Sequence, residues 1–370
     1  MKILSLFDGM ACGMLAMIQA GVTIDRYVAY EIDKYAIKVA KHNFPNIEEM
    51  GDVFEADFTQ YKDFDFLVGG SPCTYWSIAQ NKNRETKASG LGWELFSQYV
   101  RALKEAKPKY FIYENNKSMS NAIRDSIRDT FGFTEICINS ALVSAQNRQR
   151  YYWVGKLNDN GTYDKVDIEQ PMDRGILLND ILDGNCISLG DTHSGKSHTL
   201  TASYYKCGIN PFNNYGNEKA RPRVAEKISY ADRDKSHCLC SNHVGAIRDY
   251  FKKGQSQVAF EKADNDILIP GKPANSLQNT FEVKNGEIKI NGKIHKIRLD
   301  DGIYKIRKLS VDECKRLQTV PEWYDFSCIS NSRAYGCLGN GWTVEVIRHL
   351  ILGCLGKNTD KVEFEQLRFF

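Results

Sequence analysis

The sequence predicts an α/β fold, a doubly wound and mostly parallel sheet followed by a smaller β-rich region. Three observations carry this. Strand-length apolar runs alternate with helix-length segments as far as residue 139, the rhythm of parallel strands joined by crossover helices. The first strand runs into a glycine turn, Asp8-Gly9-Met10-Ala11-Cys12-Gly13, and an acid, Glu31, stands about twenty residues beyond it. From residue 175 to 305 the texture changes: Gly, Asn, Ser and short β-like runs dominate, and helical periodicity nearly disappears.

Residues 2–7 alternate too little for a strand with one wet face and fit a buried parallel one. After the glycine turn a helix runs to Ala20 and is closed by Gly21. Strand, glycine turn and helix together aim backbone N–H groups at a nucleotide-like ligand, although the full dinucleotide spacing is missing. The next strand, 27–30, ends on Glu31, placed to hold a ribose by its hydroxyls. Asp52, after Gly51, ends a further expected strand and is suited to an exocyclic amine; taken singly, either acid is equally well a solvated loop charge. Together, in that order, they point to an adenosine.

The run Asp65-Phe66-Leu67-Val68 reads as a buried strand that breaks at Gly69-Gly70-Ser71-Pro72-Cys73, because Gly permits unusual backbone angles and Pro cannot continue the ladder. A thiol at the carboxyl end of such a strand is a candidate nucleophile; a lone Cys is otherwise a packed side chain. A helix near 92–106 follows, then a strand at 110–113 ending on Glu114-Asn115-Asn116, a helix at 120–130 and a strand-like piece at 135–139. Glu114 therefore falls on the same sheet rim as Cys73. In Gln146-Asn147-Arg148-Gln149-Arg150-Tyr151-Tyr152-Trp153 the two arginines, two residues apart in a strand, share a face. They suit a phosphate or a base, the commoner alternative being surface ion pairs.

The chain has 370 residues, long enough for a large core and a second domain, with a net charge of only +3 that makes no global case for nucleic acid. Eleven Cys without tight spacing fit a reducing cytoplasm better than a disulfide framework. Asp8, Gly9 and Gly13 interrupt the apolar start, which reads as strand and turn and not as a signal peptide, and no apolar stretch is long enough to span a membrane. Between 175 and 305, Lys plus Arg outnumber Asp plus Glu, and five of the seven His occur there. Lys196-Ser197-His198-Thr199-Leu200 recurs as Lys235-Ser236-His237-Cys238-Leu239, and more faintly at 272–277, which marks a repeated β unit able to meet DNA through its backbone charge. His237, Cys238, Cys240 and His243 match no usual closed zinc spacing, so no metal is expected. The last residues turn helical: Ser310 with Glu313 forms a capping box, and Gly339-Asn340-Gly341-Trp342-Thr343 opens a final helix over 344–355 that returns to the first sheet.

Taken in order, these stretches resemble the C5-cytosine-specific DNA methyltransferases. Phe7 to Gly13 looks like the family's cofactor turn, Glu31 like its ribose acid and Asp52 like its adenine contact. Ser71-Pro72-Cys73 resembles the nucleophile loop, Glu114-Asn115-Asn116 the Glu-Asn-Val motif, and Gln146 to Arg150 the Gln-x-Arg-x-Arg strand. Residues 307–321 and Gly339-Asn340 resemble the two motifs that follow the target-recognition region. The wording of the first, Ser-Pro-Cys and Trp342-Thr343-Val344 motifs is similar to the animal de novo branch, and the large insert is similar to bacterial and phage enzymes. The chain departs from the pattern at Thr74 (usually Gln or Asn), Asn116 (Val), Gly92-Trp93-Glu94-Leu95-Phe96 (which lacks an Arg) and Thr319 (commonly Gly).

The resemblance implies the Rossmann-like fold of S-adenosylmethionine-dependent methyltransferases, with a catalytic domain at 1–175, a target-recognition domain at 176–305 and a return segment at 306–370. It implies S-adenosyl-L-methionine as cofactor, S-adenosyl-L-homocysteine as product, and a cofactor site of Phe7, Asp8, Gly9, Met10, Ala11, Gly13, Glu31, Ile32, Asp52, Val53, Pro72, Leu95, Asn340, Gly341 and Trp342. The reacting groups are expected to be Cys73 and Glu114, assisted by Arg148 and Arg150. A thiolate adding at C6 makes carbon-5 of cytosine nucleophilic, which the ring alone is not. The target lies inside a stacked duplex, so the base must be flipped out. Double-stranded DNA is the expected partner, with a cognate restriction endonuclease as a further one, for a monomeric enzyme of a bacterial or phage-infected cytoplasm. The alternatives are C5 methylation of tRNA and a catalytically inactive DNA-binding relative. The long insert argues against the first, and the intact Cys73, Glu114 and Arg150 against the second.

Overall fold

The structure, a computed structural model, describes residues 1–78, 84–184, 186–189, 196–206, 223–227, 280–290, 293–296 and 300–357. The described residues of 1–177, 199–205 and 311–357 form one compact unit, and those of 178–198 and 206–310 a second. Residues 199–205 thus leave the β-rich stretch and rejoin the first unit, a return that no composition change marks.

The first unit is built on eight strands: β1 (Lys2–Leu6), β2 (Arg26–Tyr30), β3 (Glu48–Glu49), β4 (Phe66–Gly69), β5 (Tyr110–Asn116), β6 (Ile136–Asn139), then, after a two-residue strand β7 (Gln146–Asn147), β8 (Gln149–Leu157) and β9 (Tyr163–Lys165). Their order is β3-β2-β1-β4-β5-β8-β6, with β9 beside β8. The pairs from β3 to β5 are parallel, and β8 runs antiparallel to both β5 and β6. Strands covered on both faces need no polar side, which is why Ile3, Leu4, Leu6, Phe66, Leu67 and Val68 are fully buried.

Seven helices serve this unit: α1 (Cys12–Gln19), α2 (Lys34–Asn43), α3 (Leu91–Ala106), α4 (Asn121–Phe131), α5 (Val311–Leu317), α6 (Asn331–Asn340) and α7 (Val344–Cys354). Sequence pattern did not single out α2 or α6. Asp33 starts α2, its carboxylate accepting from Tyr35 N at 2.8 Å. Gly339-Asn340 closes α6, and α7 follows after Gly341-Trp342-Thr343. Helix α7 packs along α1, where Arg348 Nε donates to Gln19 O at 3.0 Å. Between α3, α4 and the sheet lies an aromatic cluster in which ring centroids of Phe96 and Tyr113 stand 5.1 Å apart, Phe111 and Phe131 4.9 Å, and Tyr113 and Trp153 5.8 Å. This packing stiffens β5 just before Glu114.

The described residues of the second unit are mostly strand. Strands β10 (Cys186–Leu189), β12 (Arg223–Lys227), β16 (Gly302–Arg307) and β13 (Thr280–Val283) make an antiparallel sheet in that order. Strands β14 (Glu287–Ile290) and β15 (Lys293–Lys296) form a hairpin, and β11 is the two-residue Ser197–His198. The repeats expected at 235–239 and 272–277, and the His–Cys group at 237–243, lie outside the described residues. Among the described residues no cluster of His, Cys, Asp and Glu is arranged for a metal ion, and no helix is long and apolar enough to cross a membrane.

Candidate active site

The strand order reverses between β1 and β4, and open α/β sheets bind ligands beyond the carboxyl ends of the strands at such a reversal. Leu6 and Gly69 are paired partners there, so the glycine turn after β1 and the Cys73 loop after β4 emerge side by side. They share a cavity of about 620 Å³ within the first unit.

On the glycine-turn side, Phe7 (φ 58°) and Ala11 (φ 62°) sit in the left-handed region, which turns the chain sharply into α1. Gly13 faces the sheet so closely that a Cβ there would meet Tyr27 OH at 2.7 Å and Val68 Cγ2 at 3.2 Å. Glu31 is held by three backbone donors: Gly9 N to Oε2 at 2.8 Å, and Ile32 N and Asp33 N to Oε1, each at 2.8 Å. Asp8 is almost buried, accepts from Ser5 Oγ at 2.5 Å and Tyr27 OH at 2.6 Å, and is pushed up to about 6 by that burial. Burial likewise raises Glu49, at the end of β3, to about 8, with Asp8 and Glu31 adding to the rise.

On the other side, Gly70 is pressed against β5: a Cβ there would lie 2.8 Å from both O and Oε2 of Glu114. Pro72 then leads into a 3₁₀ turn, Cys73–Tyr75, whose Cys73 thiol is free and partly buried. Asn115 reaches back from β5 and donates to Ser71 O at 3.1 Å and Ser71 Oγ at 3.2 Å, while Ser71 Oγ and Tyr113 OH share a hydrogen at 2.7 Å. The carboxylate of Glu114, 8% exposed, is gripped at both oxygens, by Arg150 Nε at 3.0 Å and by Trp342 Nε1 at 3.0 Å. Arg148 is buried and donates to Leu200 O, Gly339 O and Gly341 O at 2.9–3.3 Å. Burial, with Arg150 alongside, lowers Arg148 to about 10, and Glu114 and Cys73 oppose the shift.

Of the residues singled out from sequence, Phe7, Asp8, Gly9, Met10, Glu31, Pro72, Cys73, Glu114, Arg148, Arg150, Asn340, Gly341 and Trp342 line this one cavity. Six do not. Ala11 and Gly13 shape the turn from behind, Val53 is buried in the core and Leu95 is half-buried against it, and Ile32 is 74% exposed. Asp52 does not end a strand: β3 stops at Glu49, and Asp52 caps a 3₁₀ turn, accepting from Phe54 N at 3.0 Å. Sequence reading missed the wall built by Tyr35 of α2 and by Arg333, Gly336 and Cys337 of α6. Arg333 lies 4.1 Å from the centre of the Tyr35 ring. The 333-336-337-340 spacing is one helical face, a signal that was available in the chain.

Fold and site together define a class: a Rossmann-like α/β protein with a nucleotide-type turn and a thiol–carboxylate–arginine group at its switch point. The profile of the C-5 cytosine-specific DNA methylases matches residues 1–355, and the chain belongs to that family. It is 34% identical over 171 residues to the orphan methyltransferase M.SPRI of Bacillus phage SPR, a match covering 43% of this chain and 38% of that protein. Three such relatives at 34% identity are each covered over only 33–41% of their own length. With the type II methyltransferase M.NlaX of Neisseria lactamica the chain shares 25% identity over 359 residues, 94% of each. The fold is similar to that of a Spodoptera frugiperda DNMT2 mutant, with a TM-score of 0.58, 18% identity and coverage of 96% of this chain and 99% of that one.

Proposed function

We propose that the protein is a DNA (cytosine-5-)-methyltransferase that uses S-adenosyl-L-methionine and releases S-adenosyl-L-homocysteine. The observation that carries this is the single cavity lined by Cys73, Glu114, Phe7 and Glu31. Two features fit the cofactor: a volume of about 620 Å³, within the range of small-molecule sites, and the Glu31 carboxylate aligned by three N–H groups to accept ribose hydroxyls. Phe7 and the Asp8–Met10 turn would hold the nucleoside side, and Pro72, Asn340, Gly341 and Trp342 the side facing the thiol. When bound, the cofactor supplies an electrophilic methyl group.

The chain's own groups do the rest. Cys73, as thiolate, adds to C6 of a flipped cytosine, which makes C5 nucleophilic toward the methyl. Glu114, fixed between Arg150 and Trp342, is oriented toward N3 and the exocyclic amine of the base. After transfer a base removes the C5 proton, and the sulfur leaves as the ring regains its double bond. Arg150 is placed for the base carbonyl or phosphate. Arg148 is a positioning residue, because its donors hold the carbonyls of Leu200, Gly339 and Gly341.

The basic excess of 175–305 supports duplex DNA as the partner of the second unit. The phage and bacterial sources of the relatives support a cytoplasm, with or without a restriction endonuclease beside it. A monomer working without a metal is part of the same proposal. Cys73→Ser is expected to abolish turnover while the circular-dichroism spectrum and S-adenosylhomocysteine binding persist. Labelled methyl transfer to duplex DNA and to tRNA, with bisulfite sequencing of DNA from expressing cells, gives product and site. Methylation by Cys73→Ser, or transfer to tRNA alone, overturns the proposal.

A further inference from the structure

Residue 116 is where the chain departs from the Glu-Asn-Val pattern, and the structure gives the change a partner. Asn116 ends β5, is 4% exposed, and pairs in register with Arg150. Its Nδ2 donates to Cys73 O at 3.3 Å and to Asn115 Oδ1 at 3.2 Å, and Trp76 N and Ser77 N also donate to Cys73 O, at 3.1 and 2.9 Å. Its Oδ1 accepts from Ser118 Oγ at 2.7 Å, and Ser118 Oγ in turn accepts from Ile78 N at 3.4 Å. One amide and one hydroxyl thus hold both ends of the Cys73–Ile78 stretch to the end of β5, the strand that carries Glu114. A valine would fill similar space and donate nothing.

We propose that Asn116, through Ser118, is a positioning residue that fixes the Cys73 turn against Glu114 so that the thiol meets C6 in register. The inference rests on Cys73 as the nucleophile. The clamp acts on the carbonyl of Cys73, two bonds from the carbon that bears its side chain. Loosening it changes the thiol's aim without touching the glycine turn or Glu31.

The test is single-turnover trapping on duplex DNA containing 5-fluorocytosine, alongside steady-state kinetics. Asn116→Val is expected to slow trapping about tenfold or more, because small misplacements of a reacting group are costly. The KM for S-adenosylmethionine stays within about twofold, since the cofactor side is untouched. Ser118→Ala slows trapping less, and the double variant is no slower than Asn116→Val, as expected for two members of one clamp. Asn116→Asp keeps the Ser118 contact, cannot donate to Cys73 O, and places a negative charge beside the turn. Its trapping is therefore expected to slow as in Asn116→Val while the KM for S-adenosylmethionine holds, a split that a general loss of structure would not produce. Trapping by Asn116→Val or by Asn116→Asp at the wild-type rate overturns the inference, as does a loss of rate, cofactor KM and melting temperature together. If Asn116→Val does not fold, Asn116→Asp and Ser118→Ala decide alone. Wild-type protein that fails to trap overturns the nucleophile reading itself, an outcome distinct from a wild type that traps and variants that match it.

Discussion

Asp8 stands in the turn between β1 and α1 with one oxygen shared by Ser5 and Tyr27 and the other, Oδ2, buried without a partner. Burial pushes its pKa up to about 6, so the folded chain holds this proton more tightly than the unfolded one. The stability this provides is fully present below the unfolded value near 4 and is lost as pH rises through about 6, a difference of about 3 kcal/mol by pH 8. Asp8→Asn removes the charge, and its melting temperature is expected to exceed wild type at pH 8 but not at pH 4. Equal melting at pH 8 would sink this account. Thr319, where the family commonly has Gly, has φ 52°, and its Oγ1 accepts from Glu345 N at 2.9 Å in the first turn of α7. Thr319→Ala loses that cap and keeps the strain, an expected loss of about 1 kcal/mol. Thr319→Gly also loses the cap but relieves about 1–2 kcal/mol of left-handed strain, so urea unfolding should rank Ala below Gly. Both residues were visible in the sequence as members of motifs. The burial of one and the backbone angle of the other were not, because each depends on neighbours from distant elements.

At the scale of elements, the approach of β4 to β5 governs the site. Gly70 leaves no room for a Cβ against Glu114, so Gly70→Ala must displace backbone or carboxylate. The expected cost is about 1–3 kcal/mol of stability. Methyl transfer should fall further than binding, since Cys73 and Glu114 move apart. A variant with full kcat and unchanged stability would show that the contact yields freely. The parallel strands and their turns were legible because a buried strand followed by glycine has few other readings. Strand β5 runs through Asn116 and not only to residue 113, so its polar end was not recognised as strand. That polar end is in the ladder because Arg150 and Tyr151 of β8 pair with it, which no local pattern reveals.

For the whole molecule, the first unit holds every group assigned to the chemistry, and the sequence of the second carries a surplus of positive charge. If that surplus meets DNA phosphates, duplex affinity should fall steeply between about 50 and 200 mM salt, in proportion to the contacts made. Salt-independent binding measured by fluorescence anisotropy would remove the second unit from this role.

The sequence alone determined the strand-and-turn order of the first unit, the thiol after a Gly-Gly-x-Pro break, and the acid past the glycine turn. These are local because backbone freedom at Gly and Pro is local. Only the tertiary structure decided that Arg148 holds three carbonyls and that Asn116 grips the Cys73 turn. Hydrogen-bond partners tens or hundreds of residues apart are chosen by packing, and packing is a property of the assembled sheet and not of any one stretch of chain.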